Sequence, residues 1–243
     1  MTAGSQQLAA SSKGLQANSQ QPTANSERPL QYAEGTAHFR HLELQVDERV
    51  LIPRPETEVV VDWALRLAGA GGGIAVDIGT GSGAIALSLA LEGSFDRVIA
   101  TDVSADAIEA AAANLARLRP TLRTPVELRL GSFLAPVLGV GARLLISNPP
   151  YIAAGEMRAL PANVRGWEPP LALLSGEDGM AATATIIEGA HRVLAQGGWL
   201  VLETDSTRAR AAEALVHAEG RYTDIAVHSD LTGRDRVLVA RLR

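Results

Sequence analysis

Short apolar runs alternate with stretches of helical periodicity along most of the chain. The apolar runs have the length of buried strands and are bounded by glycine, proline or charged residues. The predicted strands are Ile74 to Ile78, Arg97 to Thr101, Val126 to Leu130, Leu144 to Ser147 and Trp199 to Glu203. Strands that alternate with helices favour an α/β protein whose parallel sheet carries helices on both faces.

Apolar residues recur at helical spacing between these strands and before the first of them. The run that follows Pro53 and Pro55 keeps this spacing through Leu67, and Glu56 and Glu58 fall in its first turn, where carboxylates complement the helix dipole. Further helices are predicted over Ala84 to Leu91, Ala105 to Leu118, Ala181 to Leu194 and Arg208 to Glu219.

The C-terminal part of the chain has a different pattern. Tyr222 to His228 and Arg236 to Leu242 both read as strands, and only a short polar loop around Thr232 and Gly233 separates them. So short a connection favours an antiparallel hairpin, since a parallel pair needs a long crossover. The whole pattern predicts a mostly parallel seven-stranded sheet with an antiparallel C-terminal strand.

The N-terminal part divides into two segments before the main domain, which we expect to span residues 61–243. Met1 to Arg28 is rich in Gln, Ser, Ala and Asn and has almost no large apolar residues, so it predicts a disordered tail. Residues 29–60 form a second segment, in which Phe39, Leu42, Leu44 and Val46 alternate with polar residues and predict a strand or hairpin.

Composition and charge narrow the classes of function. The chain has no cysteine, which excludes disulfides, thiolate catalysis and Cys-ligated metal centres, and its five histidines lack a metal-ligand spacing, so we expect no metal. A net charge of -5 with scattered arginines argues against general nucleic-acid binding. No apolar run is long enough for a membrane span and no secretory signal is evident, so we expect a cytoplasmic protein without a membrane partner.

A glycine-rich turn follows the first predicted strand of the main domain. The segment from Asp77 to Gly83 carries glycines at alternate positions, which let the backbone turn sharply and let a ligand approach without a Cβ in the way. Asp102 ends the next strand, where a carboxylate can accept hydrogen bonds from both ribose hydroxyls. The two features indicate an adenosine site. Alone, the turn is also compatible with a dinucleotide cofactor or with a purely structural role.

The tetrad Asn148-Pro149-Pro150-Tyr151 directly follows the fourth predicted strand. Two consecutive prolines make the segment rigid and unable to continue a ladder of hydrogen bonds. The Asn148 side-chain oxygen and the Pro149 carbonyl can accept both hydrogens of one NH₂ group, and Tyr151 can stack on a planar acceptor. A planar nitrogen is a poor nucleophile, and such an arrangement orients it and favours its pyramidalisation.

Together these motifs resemble class I, Rossmann-like methyltransferases that act on NH₂ groups. Leu51 to Glu58, Glu168-Pro169-Pro170, Leu174 to Gly179 and Asp230 to Arg236 further resemble the bacterial protein-(glutamine-N5) methyltransferases, which modify the Gly-Gly-Gln motif of peptide-chain release factors. The resemblance covers Pro29 to Arg243. It implies S-adenosyl-L-methionine as cofactor and a protein acceptor that carries a glutamine, such as a release factor.

The resemblance also implies roles for particular residues. The catalytic residues would be Asn148, Pro149 and Tyr151, and the same residues with Pro150 would bind the glutamine. Residues from the glycine turn would wrap the methionine part of the cofactor, an acidic residue would hold its ribose, and an aromatic residue would flank its adenine. The cofactor-binding set is Gly79, Thr80, Gly81, Ser82, Gly83, Asp102, Phe133 and Asn148.

The chain departs from the family pattern at three points. The family usually has a helical N-terminal domain that helps grip the release factor, and the segment before Pro29 is too short and polar to form one. Ser132 stands where an acidic residue is common, and Glu203-Thr204-Asp205 stands where a glycine is typical. Other acceptors therefore stay open: the N6 amino group of adenine in nucleic acid, or a small molecule. A binding module without activity is a further alternative.

Overall fold

The computed structural model describes residues 28–243, so the predicted disordered tail lies outside the described residues except for Arg28. The helices are α1 (Leu30–Glu34), α2 (Pro55–Ala68), α3 (Ala84–Glu92), α4 (Ala105–Leu118), α5 (Ala162–Trp167), α6 (Ala181–Gly189) and α7 (Ala209–Glu219). The strands are β1 (Thr36–Phe39), β2 (Leu42–Gln45), β3 (Ile74–Ile78), β4 (Arg97–Asp102), β5 (Val126–Leu130), β6 (Ala142–Ser147), β7 (Leu194–Glu203), β8 (Tyr222–Ser229) and β9 (Asp235–Leu242).

Seven strands form one sheet in the order β5-β4-β3-β6-β7-β9-β8. The five strands from β5 to β7 in this order pair in parallel, and β9 pairs antiparallel with both β7 and β8. The predicted fold class, including the antiparallel C-terminal strand, is confirmed. The direction of winding reverses between β3 and β6, so the carboxyl ends of these strands border a crevice of the kind that binds ligands in doubly wound sheets.

The apolar core lies in two layers, one on each face of this sheet. Along β6, Leu144 and Ile146 face a layer that includes Leu87 of α3, whereas Leu145 faces a layer that includes Ile186 of α6. The alternation follows from the two-residue period of a strand, and both faces are buried, as expected for a parallel sheet under helices. Within residues 28–243, no helix combines the length and apolarity needed to cross a membrane.

The predicted N-terminal hairpin is present as the antiparallel pair of β1 and β2. A buried asparagine, Asn114 of α4, joins it to the main sheet. The side-chain oxygen of Asn114 accepts from the backbone N–H of Gln45 at 2.7 Å, and its nitrogen donates to the carbonyls of Gln45 and Ser82, both at 2.9 Å. One side chain thus connects the hairpin, α4 and the glycine turn.

The helix predicted over Ala181 to Leu194 is too long, and the strand predicted from Trp199 begins earlier. The helix α6 ends at Gly189, and β7 begins at Leu194. Gly197 and Gly198, which precede the predicted strand, belong to β7 and lie where its pairing with β6 is irregular. A Cβ at Gly198 would lie 2.7 Å from the Ala142 carbonyl oxygen, so glycine permits the close approach that extends the strand.

We expect Asn114→Ala to lower the free energy of unfolding by about 2–4 kcal/mol, because it leaves backbone groups of Gln45 and Ser82 unpaired in the interior. Urea denaturation followed by circular dichroism measures the change. The control is Asn163→Ala, an exposed position on α5, which should change stability by less than about 0.5 kcal/mol. Equal effects of the two substitutions would contradict the anchoring role of Asn114.

Candidate active site

A cavity of about 430 Å³ opens at the carboxyl ends of β3, β4 and β6, where the winding of the sheet reverses. Its volume lies within the range of small-molecule sites, about 300–1,000 Å³. The structure brings together on its wall seven of the residues predicted as site residues: Gly79, Gly81, Asp102, Phe133, Asn148, Pro149 and Pro150. The predicted cofactor and acceptor motifs therefore share one cavity.

The glycine turn forms one wall of this cavity. The backbone N–H groups of Gly79 and Thr80 both donate to the carbonyl of Thr101, at 2.8 and 2.9 Å, which fixes the turn against β4. Gly79 and Gly81 have φ values of 74° and 53°, a region that favours glycine. A Cβ at either position would find no atom of the described residues within 4 Å, so these glycines leave space beside the backbone for a ligand.

The other predicted residues of the turn lie beneath this wall and not on the cavity lining. The Thr80 hydroxyl donates to Asp77 Oδ2 at 2.7 Å, and the Ser82 carbonyl accepts from Asn114. Gly83 begins α3, where an added Cβ would lie 3.1 Å from Leu87 Cδ1. The described contacts of Thr80, Ser82 and Gly83 shape the turn, and a direct contact of these residues with a cofactor stays a prediction.

Asp77 anchors the turn from inside the protein. Its Oδ2 accepts from the backbone N–H of Ala86 at 3.2 Å as well as from Thr80, while within the described part of the chain its Oδ1 has no hydrogen-bond partner. Burial raises the pKa of Asp77 to about 7, although its two hydrogen bonds oppose the rise. Asp77 is fully buried, so it supports the turn and does not itself line the cavity.

Asp102 ends β4 and lines the cavity opposite the acceptor tetrad. Its Oδ2 accepts from the Gly81 N–H at 2.9 Å, and its Oδ1 accepts from the Ser104 N–H at 3.0 Å. A carboxylate has about four acceptor sites, so Asp102 keeps capacity for ligand hydroxyls while its orientation is held by two backbone donors. This arrangement suits the predicted ribose contact.

Phe133 lies on the wall of the same cavity and is about 36% exposed. Its φ of 44° is unusual for a bulky side chain. The preceding turn is held by the bond from the Gly131 N–H to the Asp102 carbonyl at 2.8 Å, which ties this loop to the end of β4. A strained, partly exposed aromatic residue beside Asp102 suits the predicted adenine contact.

The acceptor tetrad follows β6 at the cavity, and the residue after the tetrad, Ile152, is fixed by two backbone hydrogen bonds. The Ile152 N–H donates to the Leu173 carbonyl, and the Ser175 N–H donates to the Ile152 carbonyl, both at 2.9 Å. Ile152 and Leu174 thereby form an isolated parallel bridge. Residues 169–176 also contribute to the cavity lining. Neither this bridge nor this wall could be derived from periodicity, because the segment is irregular.

Tyr151 is half-buried next to the prolines and lies outside the cavity lining. Burial raises the pKa of its phenol to about 12, and the nearby Glu203 adds to the rise. The phenol is therefore neutral near pH 7 and is not a base at that pH.

Two residues outside the predicted site set are linked to the tetrad, Thr57 directly and Glu203 through Thr57. Asn148 Nδ2 donates to Thr57 Oγ1 at 3.1 Å, and Thr57 Oγ1 donates to Glu203 Oε2 at 2.6 Å. Thr57 and Glu203 are both almost completely buried. The only signals in the sequence were indirect, since Thr57 belongs to the Leu51 to Glu58 motif and Glu203 belongs to the segment Glu203-Thr204-Asp205, which departs from the family pattern.

Arg54 and Glu168 form an ion pair that joins the start of α2 to the end of α5. Arg54 Nη2 lies 2.5 and 2.7 Å from the two carboxylate oxygens of Glu168. The Glu168 side chain is 1% exposed and that of Arg54 is 33% exposed. Burial raises the pKa of Glu168, and Arg54 opposes the rise. This contact braces the loop between β2 and α2 against the end of α5.

The fold, with a ligand cavity at its switch point and the tetrad beside a glycine turn, is that of a Rossmann-like methyltransferase. The family model for the methyltransferase small domain matches residues 64–162. A methyltransferase structure from Pyrococcus furiosus superimposes with a TM-score of 0.62 at 18% identity, covering 83% of this chain and 89% of that one.

Sequence comparison identifies the family more closely. The release factor glutamine methyltransferase of Moorella thermoacetica is 44% identical over 215 residues, which cover 88% of this chain and 75% of that protein. The enzyme of the same name from Streptomyces coelicolor is 40% identical over 217 residues, covering 87% and 75%. The chain belongs to the release factor glutamine methyltransferase family, as the resemblance of its motifs predicted.

We expect Arg54→Met to lower the free energy of unfolding by about 1–3 kcal/mol at pH 8, because it leaves the Glu168 carboxylate buried without its partner. The expected loss of stability is smaller than for a fully buried ion pair because Arg54 is partly exposed. The loss should be smaller at pH 5. Without Arg54 the pKa of Glu168 rises further, and stability is lost as the pH rises through that pKa.

Denaturation of Arg54→Met at the two pH values provides the measurement. The matched control is Arg97→Met, which removes an exposed ion pair with Glu127 and should have little effect at either pH. A loss for Arg54→Met that does not depend on pH would argue against this account of Glu168.

Proposed function

We propose that this chain transfers a methyl group from S-adenosyl-L-methionine to the side-chain amide N5 of a glutamine, in the Gly-Gly-Gln motif of a peptide-chain release factor. The observation that carries the proposal is the shared cavity, in which Asn148 and Pro149 line the same space as the glycine turn and Asp102. The similarity to release factor glutamine methyltransferases supports the same acceptor.

The residues of the cavity fit this cofactor. Gly79 and Gly81 leave room beside the backbone that any Cβ would fill, Asp102 retains acceptor sites for the ribose hydroxyls, and Phe133 offers an aromatic face for adenine. When bound, the cofactor supplies an electrophilic methyl group on a sulfonium. The loops that carry Asp102 and Phe133 are tied together by the Gly131 bond, so both parts of the adenosine site have a fixed separation.

Asn148 and Pro149 orient the acceptor nitrogen. The Asn148 side-chain oxygen and the Pro149 carbonyl each accept one N–H of the glutamine amide. Stacking of Tyr151 on the planar group stays a prediction, because Tyr151 lies outside the cavity lining. Fixing the nitrogen in this way can supply up to about 7–11 kcal/mol of the barrier reduction. The two acceptors also stabilise the positive charge that develops on the N–H groups as the nitrogen attacks.

The proposed reaction needs no strong base. An amide proton becomes acidic only as the nitrogen begins to bond to the methyl group, so the acceptor oxygens can hold it until water removes it. Tyr151, with a pKa of about 12, holds its own proton throughout the neutral range. The rate should therefore depend on orientation of the nitrogen more than on a titrating base that touches the substrate.

The mouth of the cavity suits a macromolecular acceptor. Val103, Leu171 and Leu174 line the cavity and are 51%, 59% and 38% exposed. Exposed apolar side chains around a polar site are typical of surfaces that bind another protein. A release factor acts on ribosomes in the cytoplasm, and we therefore propose a cytoplasmic enzyme.

We expect Asp102→Ala to weaken binding of S-adenosyl-L-methionine by about 10- to 100-fold, because hydrogen bonds to a charged group contribute about 1.5–3 kcal/mol. Isothermal titration calorimetry measures this affinity. The control is Asp106→Ala, an exposed position in the first turn of α4, which should bind the cofactor as the wild type does. Unchanged affinity in Asp102→Ala would remove Asp102 from the cofactor site.

We expect the wild-type protein to label a Gly-Gly-Gln release factor with methyl groups from the cofactor, and Asn148→Ala to reduce kcat by at least about 100-fold. Peptide mass spectrometry after the reaction identifies the modified residue, which should be the glutamine of that motif. Asn163→Ala serves as the control and should retain wild-type kcat.

The same assay contains an RNA and a DNA oligonucleotide with unpaired adenines. Methylation of adenine in place of glutamine, by a protein that binds the cofactor, would overturn the proposed acceptor. Full turnover by folded Asn148→Ala would overturn the proposed mechanism.

A further inference from the structure

A chain of hydrogen bonds runs from the acceptor tetrad into the interior of the protein. Asn148 Nδ2 lies 3.1 Å from Thr57 Oγ1, which lies 2.6 Å from Glu203 Oε2. The three residues come from distant parts of the sequence: the β6 exit, the first turn of α2 and the end of β7. Thr57 and Glu203 are 4% and 1% exposed, so water does not compete strongly for these bonds.

The number of protons available in this chain of hydrogen bonds determines which way the Asn148 amide faces. A threonine hydroxyl has one proton, and when Glu203 is ionised Thr57 donates that proton in a hydrogen bond to the Glu203 carboxylate, 2.6 Å away. Thr57 Oγ1 can then only accept from Asn148. The asparagine must therefore present its NH₂ group to Thr57, which turns its oxygen away from Thr57. This orientation follows from the bonding capacity of each group and does not depend on distinguishing N from O in the amide.

We propose that Thr57 and Glu203 are positioning residues, which hold the Asn148 amide with its oxygen toward the methyl acceptor, and that ionised Glu203 is the form that enforces this orientation. The inference rests on the proposed role of Asn148 as the acceptor of the substrate N–H. A negative charge at the far end also polarises the chain, so it makes the Asn148 oxygen a stronger hydrogen-bond acceptor.

Protonation of Glu203 removes the constraint. A neutral carboxyl can donate to Thr57 Oγ1, and the Thr57 proton is then free to point at Asn148. The amide can rotate and present its oxygen to Thr57, which withdraws the acceptor from the substrate. The active orientation should therefore be lost as the pH falls through the pKa of Glu203.

The surroundings of Glu203 bring its pKa into the pH range in which activity can be measured. Burial raises the pKa of Glu203 to about 7, and the bond from Thr57 opposes the rise. Of the neighbouring charges, Arg236 of β9 and Arg54 lower the pKa of Glu203 and Glu56 of α2 raises it. Tyr151, from the acceptor tetrad, stays neutral at these pH values.

The first test separates the Thr57 hydroxyl from the shape of its side chain. Thr57→Val keeps the shape and removes the hydroxyl, and we expect kcat to fall by about 10- to 100-fold while the Kd for S-adenosyl-L-methionine changes by less than about threefold. Thr57→Ser restores the hydroxyl and should recover most of kcat. Thr121→Val, at an exposed position after α4, controls for the substitution itself. Wild-type kcat in folded Thr57→Val would overturn the proposal.

The second test uses pH. We expect wild-type kcat at saturating substrates to fall up to about tenfold between pH 8 and pH 6, with an apparent pKa near that of Glu203. Glu203→Gln keeps an oxygen that can accept from Thr57 but cannot gain a proton, so the fall should be absent. A fall of equal size in Glu203→Gln would overturn the assignment to Glu203.

A spectroscopic test does not depend on turnover. Nitrogen-15 labelling of asparagine gives side-chain NH₂ signals, and the pair missing from Asn148→Ala identifies that of Asn148. Its chemical shifts should titrate with Glu203 in the wild type and not in Glu203→Gln, even if the acceptor is not a release factor. If the release factor is not labelled but this titration is seen, the proposed acceptor is wrong, while the proposed role of Thr57 and Glu203 in orienting Asn148 is supported. Chemical shifts that do not depend on pH in the wild type would overturn the proposed coupling of Asn148 to Glu203.

Discussion

The constraint on which the site depends is the reversal of winding between β3 and β6. Because successive crossovers go to opposite sides at this point, the loops after the two strands diverge and leave a cavity between them. One loop is the glycine turn, and the other is the acceptor tetrad. The register of β3 with β6, which pairs Ile78 with Ser147, brings both loops out of the sheet at the same level. The glycine turn and the acceptor tetrad thus adjoin because the backbone pairing fixes them.

The hydrogen bonds beneath this cavity keep its walls in place from the interior. Asp77 and Asn114 hold the glycine turn from below, and Glu203, through Thr57, holds the tetrad. Buried carboxyls and amides are costly unless they are paired, and here three of their bonds go to Thr80, Ser82 and Thr57, which support the walls of the cavity. The cost in stability is concentrated where orientation matters for the proposed chemistry, as is common at active sites.

Most of the sheet and the two cavity motifs could be predicted from the sequence, because periodicity and glycine or proline signals are local. Strands such as Ile74–Ile78 were predicted to the residue. The start of β7 was not, since Gly197 and Gly198 have the same local signal in a turn as in an irregular strand. Thr57 was also missed as a neighbour of Asn148. The two lie 91 residues apart, and only the packing of α2 against the sheet brings them together.

Local motifs and long-range contacts contribute different things to the site. The long-range contacts determine how individual side chains are oriented. The tetrad at Asn148 is a local motif that the sequence alone reveals, but the orientation of its amide depends on a partner from another element. In this protein the partner is the hydroxyl of Thr57, which donates its single proton in a hydrogen bond to the buried carboxylate of Glu203. How the asparagine is held is therefore decided by contacts from α2 and β7, whereas the tetrad itself is a local motif of the chain.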